Sequence, residues 1–228
     1  MFRFKQFHIN HDRCAMKVGT DGVLLGAWAP LPQKGIGLDI GTGSGLIALM
    51  AAQRAPDMTF IGIDVDAEAI AQAHENVMES PFSDRVSVNC CSLQDFLYPK
   101  PFDAILCNPP FFEESLLPPD PRRSMARHTS QLPFADLAKS ASSMLSAEGF
   151  FSVILPASAT DTFTRLCQDE GLQPCRQCYV HTTARKAPKR ILSCYSHQPS
   201  SLHTESLVLQ DGDARSEEYS QLCEQFYL

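Results

Sequence analysis

Gly41, Gly43 and Gly45 stand at every second position between an apolar run at 36–40 and a stretch of helical periodicity at 46–54. Leu46, Ile47, Leu49 and Met50 supply the apolar face of that helix. A tight strand-to-helix turn needs residues free to take positive φ, and it leaves the helix N-terminus open to a ligand. The dinucleotide fingerprint G-x-G-x-x-G would put its third glycine where Leu46 stands. Asp39, the acid before the loop, suits a positively charged ligand better than a pyrophosphate. A second apolar run, 59–63, ends at Asp64, about where an acid grips ribose hydroxyls.

Beyond this unit, apolar runs and helical stretches keep alternating, which predicts a parallel sheet covered by helices. Helices are expected at 67–79, 134–145, 157–170 (stopped by Gly171) and 216–226. Strands are expected at 86–90, 102–107, 149–155, 175–180 and 190–196, with a short one at 206–209. The strands 175–180 and 190–196 fit a hairpin that closes the sheet. The stretch 112–132, rich in Pro, Arg and Ser, reads as a long loop of the functional or disordered kind. The pattern predicts one domain over 1–228, with 1–34 as its N-terminal segment.

Asn108-Pro109-Pro110-Phe111 follows the strand ending at Cys107. An exocyclic amine is a poor nucleophile because its lone pair is delocalised. An Asn side-chain carbonyl and the backbone carbonyl of Pro109 can accept its two N–H bonds and localise that pair as attack begins. Two prolines fix φ and remove N–H groups, so the loop is rigid. Phe111 offers a face on which a planar base can stack. In open α/β sheets ligands sit at the C-terminal strand ends, and Asp39 to Gly45, Asp64, Ser92 and Asn108 to Phe111 all fall there.

These residues resemble class I S-adenosylmethionine-dependent methyltransferases of the amino-methylating branch. Phe4-Lys5-Gln6-Phe7, the run from His11 through Lys17-Val18-Gly19-Thr20-Asp21-Gly22, Leu24-Leu25-Gly26-Ala27-Trp28 and the Gln225-Phe226-Tyr227 tail are similar to the bacterial tRNA1(Val) (adenine-37 N6)-methyltransferase family. The resemblance implies a Rossmann-like α/β fold, a mostly parallel seven-stranded sheet with an antiparallel closing hairpin and helices on both faces. It implies S-adenosylmethionine as cofactor, methyl transfer to N6 of the adenosine just 3′ of the anticodon, and Lys17, Thr20, Asp21, Asp39, Gly41, Gly43, Gly45, Asp64, Ser92 and Asn108 around the cofactor. Asn108, Pro109, Pro110 and Phe111 would form the catalytic loop. Two departures stand out: Ser92 occupies the place of a common Asp near the cofactor's adenine, and Phe111 replaces a more frequent Tyr. From the residues alone, Asp21 also fits the cap of the next helix.

Composition narrows the partners. A net charge of −7 argues against broad nonspecific binding to nucleic acid. The cations cluster, however: Arg122, Arg123 and Arg127 in the long loop, and Arg185, Lys186, Lys189 and Arg190 before a late strand. Arg122, Arg123, Arg127, Lys189 and Arg190 are the candidates for the phosphates of a tRNA anticodon arm, beside Phe111. No run reaches membrane-spanning length, and Met1 to Gln6 lacks a signal peptide's apolar core. Nine cysteines, an odd number, fit reduced thiols in a cytoplasm. Cys175 and Cys178 form a lone C-x-x-C whose spacing on a strand puts the thiols on opposite faces, so no metal is expected. A sulfonium methyl is already activated, so neither His128 nor His181 is assigned as a base. The expected protein is a cytoplasmic monomer. The same loop would also serve an amino-methyltransferase acting on DNA adenine, rRNA guanine or a protein glutamine.

Overall fold

The computed structural model describes residues 1–110 and 132–228. Strands β1 (Phe2–Arg3) and β2 (His8–Ile9) pair antiparallel on their own. They are followed by α1 (Thr20–Trp28), β3 (Lys34–Ile40), α2 (Leu46–Arg54), β4 (Asp57–Asp64), α3 (Ala67–Met78), β5 (Val86–Cys90) and β6 (Phe102–Cys107). The rest comprises α4 (Phe134–Met144), β7 (Leu145–Pro156), α5 (Ala157–Asp169), β8 (Gln173–Thr183), β9 (Arg190–Ser196), β10 (His203–Asp211), β11 (Ala214–Arg215) and α6 (Glu217–Leu222).

One sheet runs β11-β10-β8-β9-β7-β6-β3-β4-β5. β3, β4, β5, β6 and β7 are mutually parallel, and β9 lies antiparallel between β7 and β8. This is the Rossmann-like α/β architecture with its antiparallel hairpin. Among the described residues the sheet has nine strands, where seven were expected. β10 adds parallel to β8, and β11 turns back on β10. The side chains that dock β10 are Leu207, which is buried, and Glu205, which accepts from the Trp28 indole at 2.6 Å and from Arg176 at 2.9 Å.

Alternate residues of the parallel strands feed two cores. Ala104 and Leu106 pack with α1 and α2, whereas Ile105 and Cys107 pack with α4 and α5. Burial on both faces explains why these strands read as unbroken apolar runs. α1 is buried from Gly22 to Trp28, and it lies so close to α2 that a Cβ at Gly26 would stand 2.8 Å from the Met50 sulfur.

Three expectations need correction. Asp21 does not cap α1: Gly19 is the N-cap and Asp21 lies in the first turn. The terminal helix stops at Leu222, its start capped by the Ser216 hydroxyl, which accepts from the Tyr219 amide at 3.0 Å. Cys175 and Cys178 face the same core, because the register shifts between Pro174 and Arg176 and turns Cys175 over. Among the described residues no His, Cys, Asp and Glu group is placed to hold a metal ion, and no helix is long and apolar enough to cross a membrane.

Candidate active site

Register builds the site. Ile40 pairs with Ile63 on one side and Cys107 on the other, and Asp64 pairs with Cys90. Gly41, Asp64, Cys91 and Asn108 therefore emerge at one edge of the sheet. β7 carries that edge on to Pro156, whose partner is Arg190 at the start of β9. Residues far apart in sequence thus meet at the C-terminal ends of the parallel strands.

Met16 to Gly22, Gly41 to Ser44, Leu46, Ile47, Asn108, Pro109 and Arg190 line an open cavity of about 420 Å³. Gly41 and Gly43 adopt φ of 69° and 54°, and a Cβ on either would meet nothing within 4 Å. The loop is therefore glycine for its conformation and for the open space in front of it. Its amides at Gly41 and Thr42 both donate to the Ile63 carbonyl at 2.9 Å.

Two acids hold this loop without lining the cavity. The Asp39 carboxylate is fully buried; one oxygen accepts from the Thr42 hydroxyl at 2.6 Å and the Ala48 amide at 3.2 Å. Its other oxygen is buried with no partner. Burial dominates, and it pushes the Asp39 pKa up to about 7 despite those two donors. Asp64 accepts from the Gly43 amide at 2.9 Å with one oxygen and from the Asp66 amide at 3.0 Å with the other.

The remaining expected residues fall as follows. Lys17, Thr20 and Asp21 line the cavity, and Asp21 accepts from Arg190 Nε at 2.9 Å. Arg190 and Asp21, expected on separate duties, thus form one ion pair. Lys189 is exposed in the turn between β8 and β9 with Arg185 and Lys186. Asn108 and Pro109 line the cavity, and Pro110 is exposed. The Asn108 amide nitrogen is 3.9 Å from where a Cβ on Gly22 would lie, so α1 abuts the Asn-Pro-Pro loop. Ser92 donates to Asp95 at 2.7 Å, so a carboxylate does stand at this strand end, three residues later than expected. Phe111, Arg122, Arg123, Arg127 and His128 lie outside the described residues. Sequence reading left Met16, Leu46 and Ile47 out of the wall and gave no individual role to Val18, Thr42 and Ser44, although the last two lie within the Asp39 to Gly45 stretch it placed at the strand ends.

The match to the family model Methyltransferase small domain covers residues 18–131. A tRNA1(Val) (adenine(37)-N6)-methyltransferase of Bacteroides fragilis is 44% identical over 100% of this chain and 97% of its own length. The like-named protein of Pseudoalteromonas translucida is 42% identical, over 100% and 98%. The chain belongs to this family. Among solved structures, a predicted O-methyltransferase from Agrobacterium tumefaciens superposes with a TM-score of 0.69 at 17% identity, covering 90% of this chain and 96% of its own. That likeness bears on the class I methyltransferase fold.

The close packing behind the loop gives a test of its rigidity. A Cβ at Gly62 would stand 2.6 Å from the Thr42 hydroxyl and 2.9 Å from its Cβ. Gly62→Ala is expected to cost about 1–3 kcal/mol in thermal or urea denaturation. It should also weaken ligand binding in calorimetry, because Thr42 is both cavity wall and Asp39 partner. Full stability with unchanged binding would show that Thr42 yields freely.

Proposed function

We propose that this protein transfers the methyl group of S-adenosylmethionine to N6 of adenine 37 in tRNA1(Val), acting as a cytoplasmic monomer on the anticodon arm. The observation that carries this reading is the placement of Asn108 and Pro109 in the wall of the glycine-loop cavity, in a chain alike over its full length to relatives of that name. The cavity fits the cofactor. Open space before Gly41 and Gly43 admits close approach, and the unpartnered oxygen of buried Asp39 favours a cationic ligand.

Lys17, Thr20 and Asp21 would hold the methionine end and the backbone at Gly41, Gly43 and Gly45 its middle; Asp64, beside the cavity and already accepting from the Gly43 and Asp66 amides, would meet the ribose with its remaining lone pairs. Asp95, presented by Ser92, takes over the adenine edge. When bound, S-adenosylmethionine supplies a methyl on a sulfonium that departs neutral. Asn108 and the Pro109 carbonyl accept the two N–H bonds of the target amine, Pro110 keeps the loop stiff, and Phe111 stacks the extruded base. The proton leaves to water.

The direct test is labelled methyl transfer to bulk tRNA followed by nucleoside mapping. Label in N6-methyladenosine at position 37 is expected; label in DNA, rRNA or protein instead would overturn the substrate. Because Arg190 is paired with Asp21, the exposed cations of the hairpin are Arg185, Lys186 and Lys189; Arg122, Arg123 and Arg127 remain candidates from the sequence alone. If these neutralise roughly four phosphates, log affinity for tRNA should fall with log salt at a slope of about −3. A slope near zero would remove the clusters from the interface.

A further inference from the structure

Asn76 is a polar side chain with no exposed surface on α3, away from the expected site residues, and its hydrogen bonds join the N-terminal arm to the glycine loop of the cavity wall. Its carbonyl oxygen accepts from the Asn10 amide at 2.8 Å. Its amide nitrogen donates to the Asn10 carbonyl at 2.8 Å and to the Ser44 carbonyl at 2.9 Å. A carboxamide has two N–H donors, and here each goes to a different chain segment. One segment is the N-terminal arm; the other is the glycine loop.

Neighbours on the same face of α3 repeat the arrangement. Gln72, also buried, accepts from the Arg13 amide at 3.4 Å, and Glu75 pairs with the Arg13 guanidinium. Just past the helix end, Glu79 pairs with His8 at 2.8 Å. Positions 72, 75, 76 and 79 follow the i, i+3, i+4, i+7 stripe of one helical face. From within this anchored stretch, His11 Nδ1 accepts from the Val18 amide at 2.9 Å, closing the arm into a loop that delivers Met16 to Gly22 to the cavity. The wall formed by the arm and the wall formed by the glycine loop are thus tied by one buried side chain.

We propose that Asn76 is a positioning residue of the methyl-donor site. It holds the N-terminal arm in register with the glycine loop, so that both walls stand in place before the cofactor enters. The inference rests on the S-adenosylmethionine reading above. It assigns Asn76 no contact with the cofactor.

The test compares wild type, Asn76→Ala and Phe163→Leu, the last a destabilised control in the opposite core. S-adenosylmethionine Kd is read by calorimetry, steady-state constants by methyl transfer, and backbone hydrogen exchange over residues 8–19. Asn76→Ala is expected to raise Kd and the KM for S-adenosylmethionine about tenfold, the scale of one buried hydrogen-bonded group. Its kcat at saturating cofactor and its KM for tRNA should stay near wild type. Exchange over residues 8–19 should quicken in the free protein and slow again on saturation. A purely structural role would lower Tm in both variants and leave Kd unmoved. A folded Asn76→Ala variant with Kd within about twofold of wild type, or an equal rise in Phe163→Leu, overturns the proposal. Should Asn76→Ala not fold, Asn10→Pro removes the amide that meets Asn76 while Ile9 already has the extended backbone a following proline demands, and the same Kd criterion decides. Failure of the wild type to bind S-adenosylmethionine would instead take down the functional reading itself.

Discussion

Asn108→Ala is expected to lower the rate of methyl transfer about a hundredfold, on the order of 3 kcal/mol in the barrier, with S-adenosylmethionine affinity nearly intact. The reasoning is electrostatic. An adenine amine becomes nucleophilic only as its nitrogen pyramidalises, and a fixed acceptor on each N–H favours that geometry. Asn108 is placed for this by the last residue of β6, Cys107, which is paired with Ile40 and Val153 and completely enclosed. A site held between two paired strands does not relax to replace a lost acceptor. Single-turnover kinetics at saturating cofactor would isolate the chemical step, and calorimetry would check the affinity. Full turnover in the variant would remove Asn108 from the reaction. A loss confined to cofactor affinity would reassign it to binding.

How much of this was legible in the sequence varies with physical cause. β5, β6, β9 and α2 match their expected bounds to the residue: β6 and β9 are buried, mostly apolar runs, α2 starts at a glycine, and β5, an edge strand, is marked by its alternating valines. β10 was read short because its first half, His203 to Ser206, is polar and largely exposed; pairing with β8 makes it a strand. α1 was expected only as an unbounded helix after Asp21, because from Gly22 on it is apolar all round and lacks the polar face that marks an amphipathic helix. The Asp21–Arg190 pair spans 169 positions, and no local pattern announces it. Cys175 changes face at an irregularity that only pairing with β9 reveals. The glycine loop, Asp39, Asp64 and Asn108 were legible because each sits at a strand end, where position alone fixes proximity. The supports behind them, Thr42 and Asn76, were not, since nothing in a local pattern distinguishes a Thr or Asn that turns inward.

Asp39 makes the second large prediction, a pH dependence of cofactor binding. Its carboxyl is buried, lies one hydrogen bond behind the cavity wall at Thr42, and has its pKa raised to about 7 chiefly by desolvation. The folded-state value lies above the ordinary 3.8, so this group favours the folded apoprotein fully at low pH, and that contribution fades as pH rises through about 7. A cationic ligand reverses the balance, because it stabilises the carboxylate and lowers its pKa. Binding therefore releases a proton below about pH 7, and the S-adenosylmethionine Kd should rise as pH falls from about 7, by at most tenfold per unit and only down to the lowered pKa of the bound state. Over that window the ligand's own amino group, with a pKa near 8, stays charged and adds little slope. Asn at position 39 keeps the shape and one acceptor but cannot ionise. Asp39→Asn should bind more weakly near neutrality, by about tenfold or more, and its Kd should be flat across the same window. Calorimetry in buffers of different ionisation enthalpy would count the released proton directly. A flat wild-type profile, or the same slope in Asp39→Asn, would place the charge that attracts the cofactor elsewhere in the cavity, with Asp21 the nearest candidate.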